Sequence, residues 1–375
     1  MRKVILIIFN FLLYQGAFSQ SNKLFNGNSP KLIKYLDVSF ELGPIIENGS
    51  ASSAELKKNT NYIGVDARLG FQKGSESIYA KLYRFPVYGI GVYASSFQNE
   101  VVGNPNAVYF FMDIPFSYPS DKRWKFGYYF SYGLSFNFNP YDPIDNPTNL
   151  FIGSYRNAFI NLGFRASREL NERMELYTGI GFRHFSNGAL SLPNTGINLL
   201  PFTFGANYRL TKNHDKVFSD RSIPKQDKRT LLNFHLAPGT KQYFIGDDNN
   251  FKLGIGVHIL REISYKHRLG LGLEQFYSAN SKERMDEPMT SRFWDSNAFA
   301  LFGSWEWVLT KNLFAPMGLG VYLHRNKHNG EWNWYYQRVG MGYRFSNGIF
   351  TSLSIKAHKG KADFFEWTLG YTIFK

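Results

Sequence analysis

The residues best suited to chemistry lie at the end of a predicted β-strand and comprise a base and a hydroxyl. Residues 174–185 alternate in polarity with the two-residue period of a strand. The more apolar series reaches Phe182, and its next two members are His184 and Ser186. Side chains two positions apart on a strand have Cα atoms roughly 6–7 Å apart, so the imidazole can reach the serine oxygen. Because this face is apolar, the pattern favours a reaction on a lipid over one on a water-soluble substrate.

The composition favours an all-β chain. Of the 375 residues, 18% are aromatic and 34 are glycine, which suits strands with aromatic belts better than helices. The chain has no cysteine, which excludes a disulfide framework and a thiolate metal site. The formal net charge is +14. Such a basic surplus attracts phosphate groups on nucleic acid, on anionic lipid headgroups or on lipopolysaccharide.

The first residues have the features of a cleaved export signal. Two basic residues precede a short apolar run at 4–13, and Ala17-Phe18-Ser19 forms a small-x-small cleavage site. The apolar run is too short for a membrane helix, and no later stretch is continuously apolar for long enough. The sequence therefore predicts a signal peptide at 1–19 and an exported chain without a helical membrane anchor.

Strand-like segments fill the remainder of the chain in two sets, joined by a polar linker at 211–229. A tilted strand crosses a bilayer in roughly 9–11 residues, and the segments have about that length. The first set comprises 34–42, 61–70, 88–97, 107–116, 124–138, 157–168, 174–185 and 198–210, and the second comprises 230–238, 251–263, 268–277, 298–309, 314–323, 332–343, 349–358 and 362–374. The predicted fold is all-β, a transmembrane antiparallel up-and-down barrel with about 16 strands in total. Two tandem eight-stranded barrels at 34–210 and 230–375 are favoured, and one wide barrel is the alternative.

The lengths of the connections orient the first set of strands. Outer-membrane barrels have long extracellular loops and short periplasmic turns. If the first strand runs outward, the long polar connections at about 43–60, 98–106, 139–156 and 186–197 lie on the extracellular side. The same parity places His184 and Ser186 at the extracellular end of the seventh strand, at the height of the outer leaflet.

A sequence signature around this pair resembles that of a known family. His184-Phe185-Ser186-Asn187, followed by Pro193-Asn194-x-Gly196, is similar to the active-site segment of the lipid A 3-O-deacylases (PagL-type). The resemblance covers about residues 34–210. It implies an outer-membrane esterase, built as an eight-stranded barrel, that removes the 3-linked acyl chain of lipid A without a metal or cofactor.

The resemblance also implies a role for each residue of the segment. Ser186 would be the nucleophile and His184 the base, while Asn187 would form or hold the oxyanion site. The family's acid follows the glycine by two positions, and here that position is Asn198. An asparagine can orient an imidazole but brings no negative charge.

These features define two alternative functions. The first is a lipid A deacylase of the bacterial outer membrane, with lipid A or lipopolysaccharide as its partner, no nucleic-acid role, and a homodimer left open. The second is a catalytically degenerate surface barrel with a binding or structural role. A passive pore is disfavoured because eight-stranded barrels have filled interiors. The role of the second set of strands, at 230–375, is left unassigned by the sequence.

Other polar residues are weaker candidates for the site. His358 and Glu366 fall on the inward side of their strands by alternation, which predicts a structural pair in the lumen. Asp142 and Asp145 lie in the long loop at 139–156. They could supply the missing acid only if that loop folds over the site.

Overall fold

A computed structural model of the chain describes residues 32–47, 51–119, 123–211, 220–285 and 291–375. The predicted signal peptide at 1–19 lies outside the described residues. The described chain consists mainly of antiparallel strands that form two closed eight-stranded barrels in succession. The prediction of two tandem barrels is therefore confirmed, and the alternative of one wide barrel is wrong.

The first barrel contains ten strand segments, which form its eight barrel strands. The segments are β1 (Ile33–Gly43), β2 (Ile45–Ile46), β3 (Tyr62–Gln72), β4 (Val87–Ser96), β5 (Gly103–Pro115), β6 (Trp124–Phe138), β7 (Asn157–Glu169), β8 (Met174–Ser186), β9 (Ile197–Leu199) and β10 (Phe202–Arg209). Neighbouring barrel strands pair in chain order, and β10 closes the barrel between β8 and β1. The short segments β2 and β9 extend the first and last barrel strands and pair with each other.

The last barrel strand is interrupted between β9 and β10, whereas the sequence predicted one strand over 198–210. Pro201 lacks the backbone N–H that a central strand needs for its ladder. At the break the Leu200 carbonyl turns towards Gly43, and a Cβ on Gly43 would lie 2.0 Å from that oxygen. The Leu200 N–H donates instead to the Pro44 carbonyl at 3.0 Å. The break re-aims the short β9, which carries Asn198, relative to β10.

The second barrel is formed by eight uninterrupted strands. They are β11 (Thr230–Lys241), β12 (Asn250–Ser264), β13 (His267–Ser278), β14 (Asn297–Val308), β15 (Leu313–His324), β16 (Tyr335–Arg344), β17 (Ile349–His358) and β18 (Lys361–Phe374). β18 pairs with β11 and closes the ring. The structure starts β16 at Tyr335, three residues later than the predicted strand at 332–343.

Each barrel is apolar outside and polar inside. Outward side chains such as Val38, Phe110 and Leu271 are 50%, 73% and 74% exposed. The lumen of the first barrel holds buried ion pairs, among them Arg68 with Asp37 at 2.9 Å. Lipid-facing walls around a polar interior are the pattern of outer-membrane barrels.

Helices are short and lie in the connections. They are α1 (Ala51–Asn59), α2 (Ile78–Leu82) and α3 (Arg292–Ser296), with two 3₁₀ turns at Ser281–Arg284 and Lys327–Asn329. α2 lies in the connection at 71–87, where the sequence predicted only a link, and Ser77 caps it by accepting from the Ala80 N–H. None of the helices in the described ranges has the length and apolar content needed to span a bilayer.

The two barrels touch at the end of the first barrel where the connection 71–87 lies. The Tyr83 hydroxyl, after α2, donates to the Val308 carbonyl at 2.6 Å. The rings of Phe130 and Trp307 lie 5.6 Å apart. Met112 and Ile114 point outward on β5 yet are buried, because residues of the second barrel pack against them. These contacts hold the second barrel beside the β5–β6 side of the first.

Candidate active site

Strand pairing brings the predicted site residues together at the C-terminal end of β8. In the register of β8 with β9, His184 lies directly opposite Asn198. On its other edge His184 pairs with Ile160 of β7. Alternation puts His184 and Ser186 on the outward face with Phe182, whose ring lies parallel to the imidazole at 6.3 Å.

The three side chains form a hydrogen-bonded chain. His184 Nε2 lies 2.8 Å from Ser186 Oγ, and His184 Nδ1 lies 2.6 Å from Asn198 Oδ1. The amide oxygen can only accept, so Nδ1 carries the ring proton and donates it to Asn198. Nε2 is then an acceptor for the serine hydroxyl. This is the geometry in which an imidazole can take a proton from a nucleophile.

The inward neighbours of the pair fix its position. Phe185 is fully buried, and its ring lies 5.4 Å from that of Phe138 and 5.6 Å from that of Phe159. The Arg183 guanidinium is also buried and forms ion pairs with Glu41 and Asp66 in the lumen. Arg183 therefore belongs to the lumen network. The backbone on both sides of His184 is thus held by large buried side chains.

Asn187 holds the turn that follows Ser186. Its Nδ2 group donates to Ser154 Oγ at 2.9 Å and to the Ser191 carbonyl at 2.8 Å. Its backbone N–H donates to Asn194 Oδ1 at 3.1 Å. Both hydrogens of the side-chain amide are therefore engaged inside the loop. Of the two roles implied for Asn187, this geometry fits holding the oxyanion site and not donating to it through the side chain.

Three hydrogen-bond donors in the turn after Ser186 have no partner among the described residues, and the sequence analysis did not single them out as donors. Asn194 Oδ1 accepts from Asn187, which leaves its Nδ2 group without a partner among the described residues. The backbone N–H groups of Gly188 and Ala189 also have no partner there. Both residues have positive φ, +62° and +65°, which is uncommon for alanine and recurs at functional sites. The asparagine of the Pro-Asn-x-Gly segment was the only signal in the sequence that could have indicated them.

The long loop at 139–156 supports the turn. The Ser191 hydroxyl donates to the Gly153 carbonyl at 2.6 Å, and the Gly196 N–H donates to the Phe151 carbonyl at 3.1 Å. Gly196 has φ +74°, and a Cβ there would lie 2.9 Å from His184 Cε1. Only glycine fits between the turn and the imidazole.

The weaker candidates lie elsewhere. Asp142 accepts from the backbone N–H groups of Asp145 and Ile144, which lower its carboxyl pKa, and it forms no hydrogen bond with His184. His358 and Glu366 both face the lumen and are buried. They do not form the predicted pair, because His358 Nε2 bonds the Tyr322 hydroxyl at 3.0 Å while Glu366 pairs with an arginine.

A cluster in the second lumen has the composition of a metal site. The ligand atoms of His235, His258 and Glu274 lie within 4.8 Å of one another. However, Glu274 already accepts from His258 at 2.8 Å and from Arg338 and Tyr336. A carboxylate with these three donors, one of which is a guanidinium, is satisfied as a structural acceptor.

Fold and site together define a class of protein: an outer-membrane type β-barrel with a Ser-His-Asn arrangement on its outer wall. The sequence model of the lipid A 3-O-deacylase (PagL) family matches residues 64–207. The model of the acyloxyacyl hydrolase C-terminal domain matches residues 230–375. The two matches span most of the chain, which belongs to the PagL family of lipid A 3-O-deacylases and carries this C-terminal domain as its second barrel. Family membership supports a lipid A deacylase function in the outer membrane.

Comparisons with other proteins add little. The translocator domain of the autotransporter NalP from Neisseria meningitidis is 9% identical over 97% of this chain and 95% of its own, with a TM-score of 0.20. OccAB4 from Acinetobacter baumannii is 9% identical over 93% and 100%, with a TM-score of 0.24. TM-scores this low carry no argument about the present chain. A comparison with curated proteins finds no match.

Proposed function

We propose that the first barrel hydrolyses the 3-linked acyl ester of lipid A with Ser186 as nucleophile and His184 as general base. The observation that carries this proposal is the continuous contact from Ser186 Oγ to His184 Nε2 at 2.8 Å and from His184 Nδ1 to Asn198 Oδ1 at 2.6 Å. This contact lies on the outward face at the extracellular end of β8.

In the first step, the Ser186 oxygen attacks the ester carbonyl and passes its proton to His184 Nε2. The oxyanion that forms needs preorganised donors, and the free Nδ2 of Asn194 with the N–H groups of Gly188 and Ala189 supplies them. The sugar oxygen then leaves with the proton from His184. Water, deprotonated by the same imidazole, then attacks the acyl-serine carbonyl, and the serine oxygen leaves with that proton as the fatty acid is released. Asn198 orients the ring throughout.

The position of the site suits a lipid substrate. Outward neighbours on the same wall, such as Ile180 and Phe202, are 42% and 40% exposed and would face acyl chains. The acyl ester of a lipid lies just below its headgroup, so the wall presents the nucleophile at that depth. A substrate already in the outer leaflet needs no pocket that extracts it from the bilayer.

Mass spectrometry of lipid A tests the proposal. Membranes that contain the wild-type chain are expected to show lipid A lacking one 3-linked acyl chain. Ser186→Ala removes the nucleophile and is expected to slow release by a factor on the order of 10⁶, as in serine hydrolases. Ser95→Ala is the matched control, because Ser95 Oγ donates to the Pro105 carbonyl at the same barrel end and does not contact His184.

The alternative is a degenerate barrel that kept the fold, and the neutral Asn198 is the observation that favours it. Identical lipid A spectra for wild type and Ser186→Ala, with both barrels folded, would establish that alternative. A signal peptide and a homodimer stay predictions from the sequence.

A further inference from the structure

The turn that follows the nucleophile is braced by the second barrel. Gln242, directly after β11, donates its backbone N–H to the Ala189 carbonyl at 3.0 Å. Its side-chain Oε1 accepts from the Leu192 N–H at 2.7 Å. One residue outside the first barrel therefore holds both sides of the turn at 189–192, three to six residues after Ser186.

Gln242 is itself held rigidly. Its Nε2 group donates to the Asp247 carbonyl at 2.7 Å. The carboxylate of Asp247 accepts from the Tyr243 N–H at 2.8 Å and from Asn250 Nδ2 at 3.1 Å. Both ends of the Gln242 amide are thus engaged, so the acceptor for Leu192 is oriented before any substrate arrives.

Packing adds to these hydrogen bonds. Gly188 lies against the second barrel so closely that a Cβ would be 2.5 Å from Phe365 Cδ2 and 3.1 Å from Ile355 Cδ1. Phe365 belongs to β18 and Ile355 to β17. The peptide unit of Gly188, whose N–H group has no partner among the described residues, is therefore backed by side chains of the second barrel.

We propose that Gln242 is a positioning residue for the esterase reaction and that the second barrel completes the active site. It holds the turn so that the N–H groups of Gly188 and Ala189 face the oxyanion, and it does not touch the substrate. Donors fixed in advance stabilise an oxyanion more than donors that must reorient. This inference rests on the proposed function and gives the second barrel a part in the reaction.

Labelling with a fluorescent fluorophosphonate tests it on the purified full chain in detergent. The Ser186 oxygen bonds to phosphorus, fluoride leaves, and the serine proton passes to His184, while the phosphonyl oxygen occupies the oxyanion position. Gln242→Met keeps the side-chain length and the backbone bond to Ala189 but removes the acceptor for Leu192 and the donor to Asp247. Loss of the Leu192 hydrogen bond is expected to slow labelling about tenfold.

Two readouts separate positioning from general damage. In Gln242→Met the plateau of the labelling rate falls while the midpoint of its pH profile stays, because Gln242 contacts neither His184 nor Asn198. Gln242→Glu retains an acceptor for Leu192 and is expected to label faster than Gln242→Met. Gln275→Ala is the control, since Gln275 donates to Asn297 within the second barrel at 2.8 Å.

The outcomes are distinct for the two proposals. Labelling of Gln242→Met at the wild-type rate, or equal slowing of the Met and Glu variants with a shifted pH midpoint, overturns the positioning role alone. Failure of the wild type to label at Ser186, with Ser186→Ala as the blank, overturns the proposed function together with this inference.

Discussion

Asn198 occupies the position at which the family has an acid, and its amide determines how the imidazole is used. Oδ1 accepts from His184 Nδ1 at 2.6 Å, and Nδ2 has no partner among the described residues. The imidazole alone therefore selects the amide orientation. A flipped amide would donate to Nδ1, so the ring proton would move to Nε2. Nε2 could then no longer accept a hydrogen bond from Ser186. An amide also adds no charge to stabilise the imidazolium.

Asn198→Asp is expected to raise the deacylation rate. The carboxylate keeps the length of the side chain, can only accept from Nδ1, and adds the missing charge. The reverse change in a serine protease lowers kcat about 10⁴-fold, so a gain between about 10-fold and 10⁴-fold is expected. The rate of fatty-acid release from lipid A measures it, and Asn198→Ala, which loses the orienting oxygen, should fall below wild type. An Asp variant that is folded and slower than wild type would show that position 198 is not the third member of the site.

The turn between β8 and β9 is the element that sets the space around the imidazole. It leaves β8 after Ser186 and returns at Ile197, so that β9 can present Asn198 opposite His184. Gly196 closes the turn in the left-handed region, and His184 Cε1 occupies the space that a Cβ at this position would need. The spacing between His184 and Asn198 in the sequence is therefore the length of chain that this turn needs.

Gly196→Ala is expected to lower activity strongly while the barrel stays closed. The added Cβ would lie 2.9 Å from His184 Cε1 and 3.1 Å from the Phe185 carbonyl, so the imidazole must move from Ser186. A shift of that size can cost about 100-fold in rate. Gly360→Ala is the matched control, because Gly360 also has positive φ, +79°, but has nothing within 4 Å of an added Cβ. Equal activity of the two variants would contradict a tight fit at Gly196.

Elements that depend on local period were predictable, and those that depend on distant contacts were not. The two-residue alternation was sufficient to place His184, Ser186 and Asn198 on the outward face, because it is a property of the strand itself. The break at Leu200 depends on a carbonyl that approaches Gly43, more than 150 residues away in the chain. Asn194 likewise has its oxygen bound by the Asn187 N–H, which leaves Nδ2 without a partner among the described residues. The spacing of residues in the sequence does not reveal this.

For the whole molecule, the strand count and the polar linker at 211–229 could indicate two barrels but not their relation. The role of 230–375 was left open by the sequence because the contacts that define it are few and distant. Gln242 and Leu192 are 50 positions apart, and Tyr83 and Val308 are 225 apart. These contacts hold the second barrel beside the first at both ends, with the Gln242 end next to Ser186.

A catalytic group on the outer wall of a barrel encounters its substrate in two dimensions. The turnover rate is therefore expected to follow the mole fraction of lipid A in the surrounding layer and to be insensitive to its bulk concentration. Mixed micelles test this: adding inert detergent at fixed total lipid A should lower the rate in proportion, whereas diluting the whole mixture should not. Both products also remain in the layer from which the substrate came, so a membrane that accumulates them would slow its own remodelling.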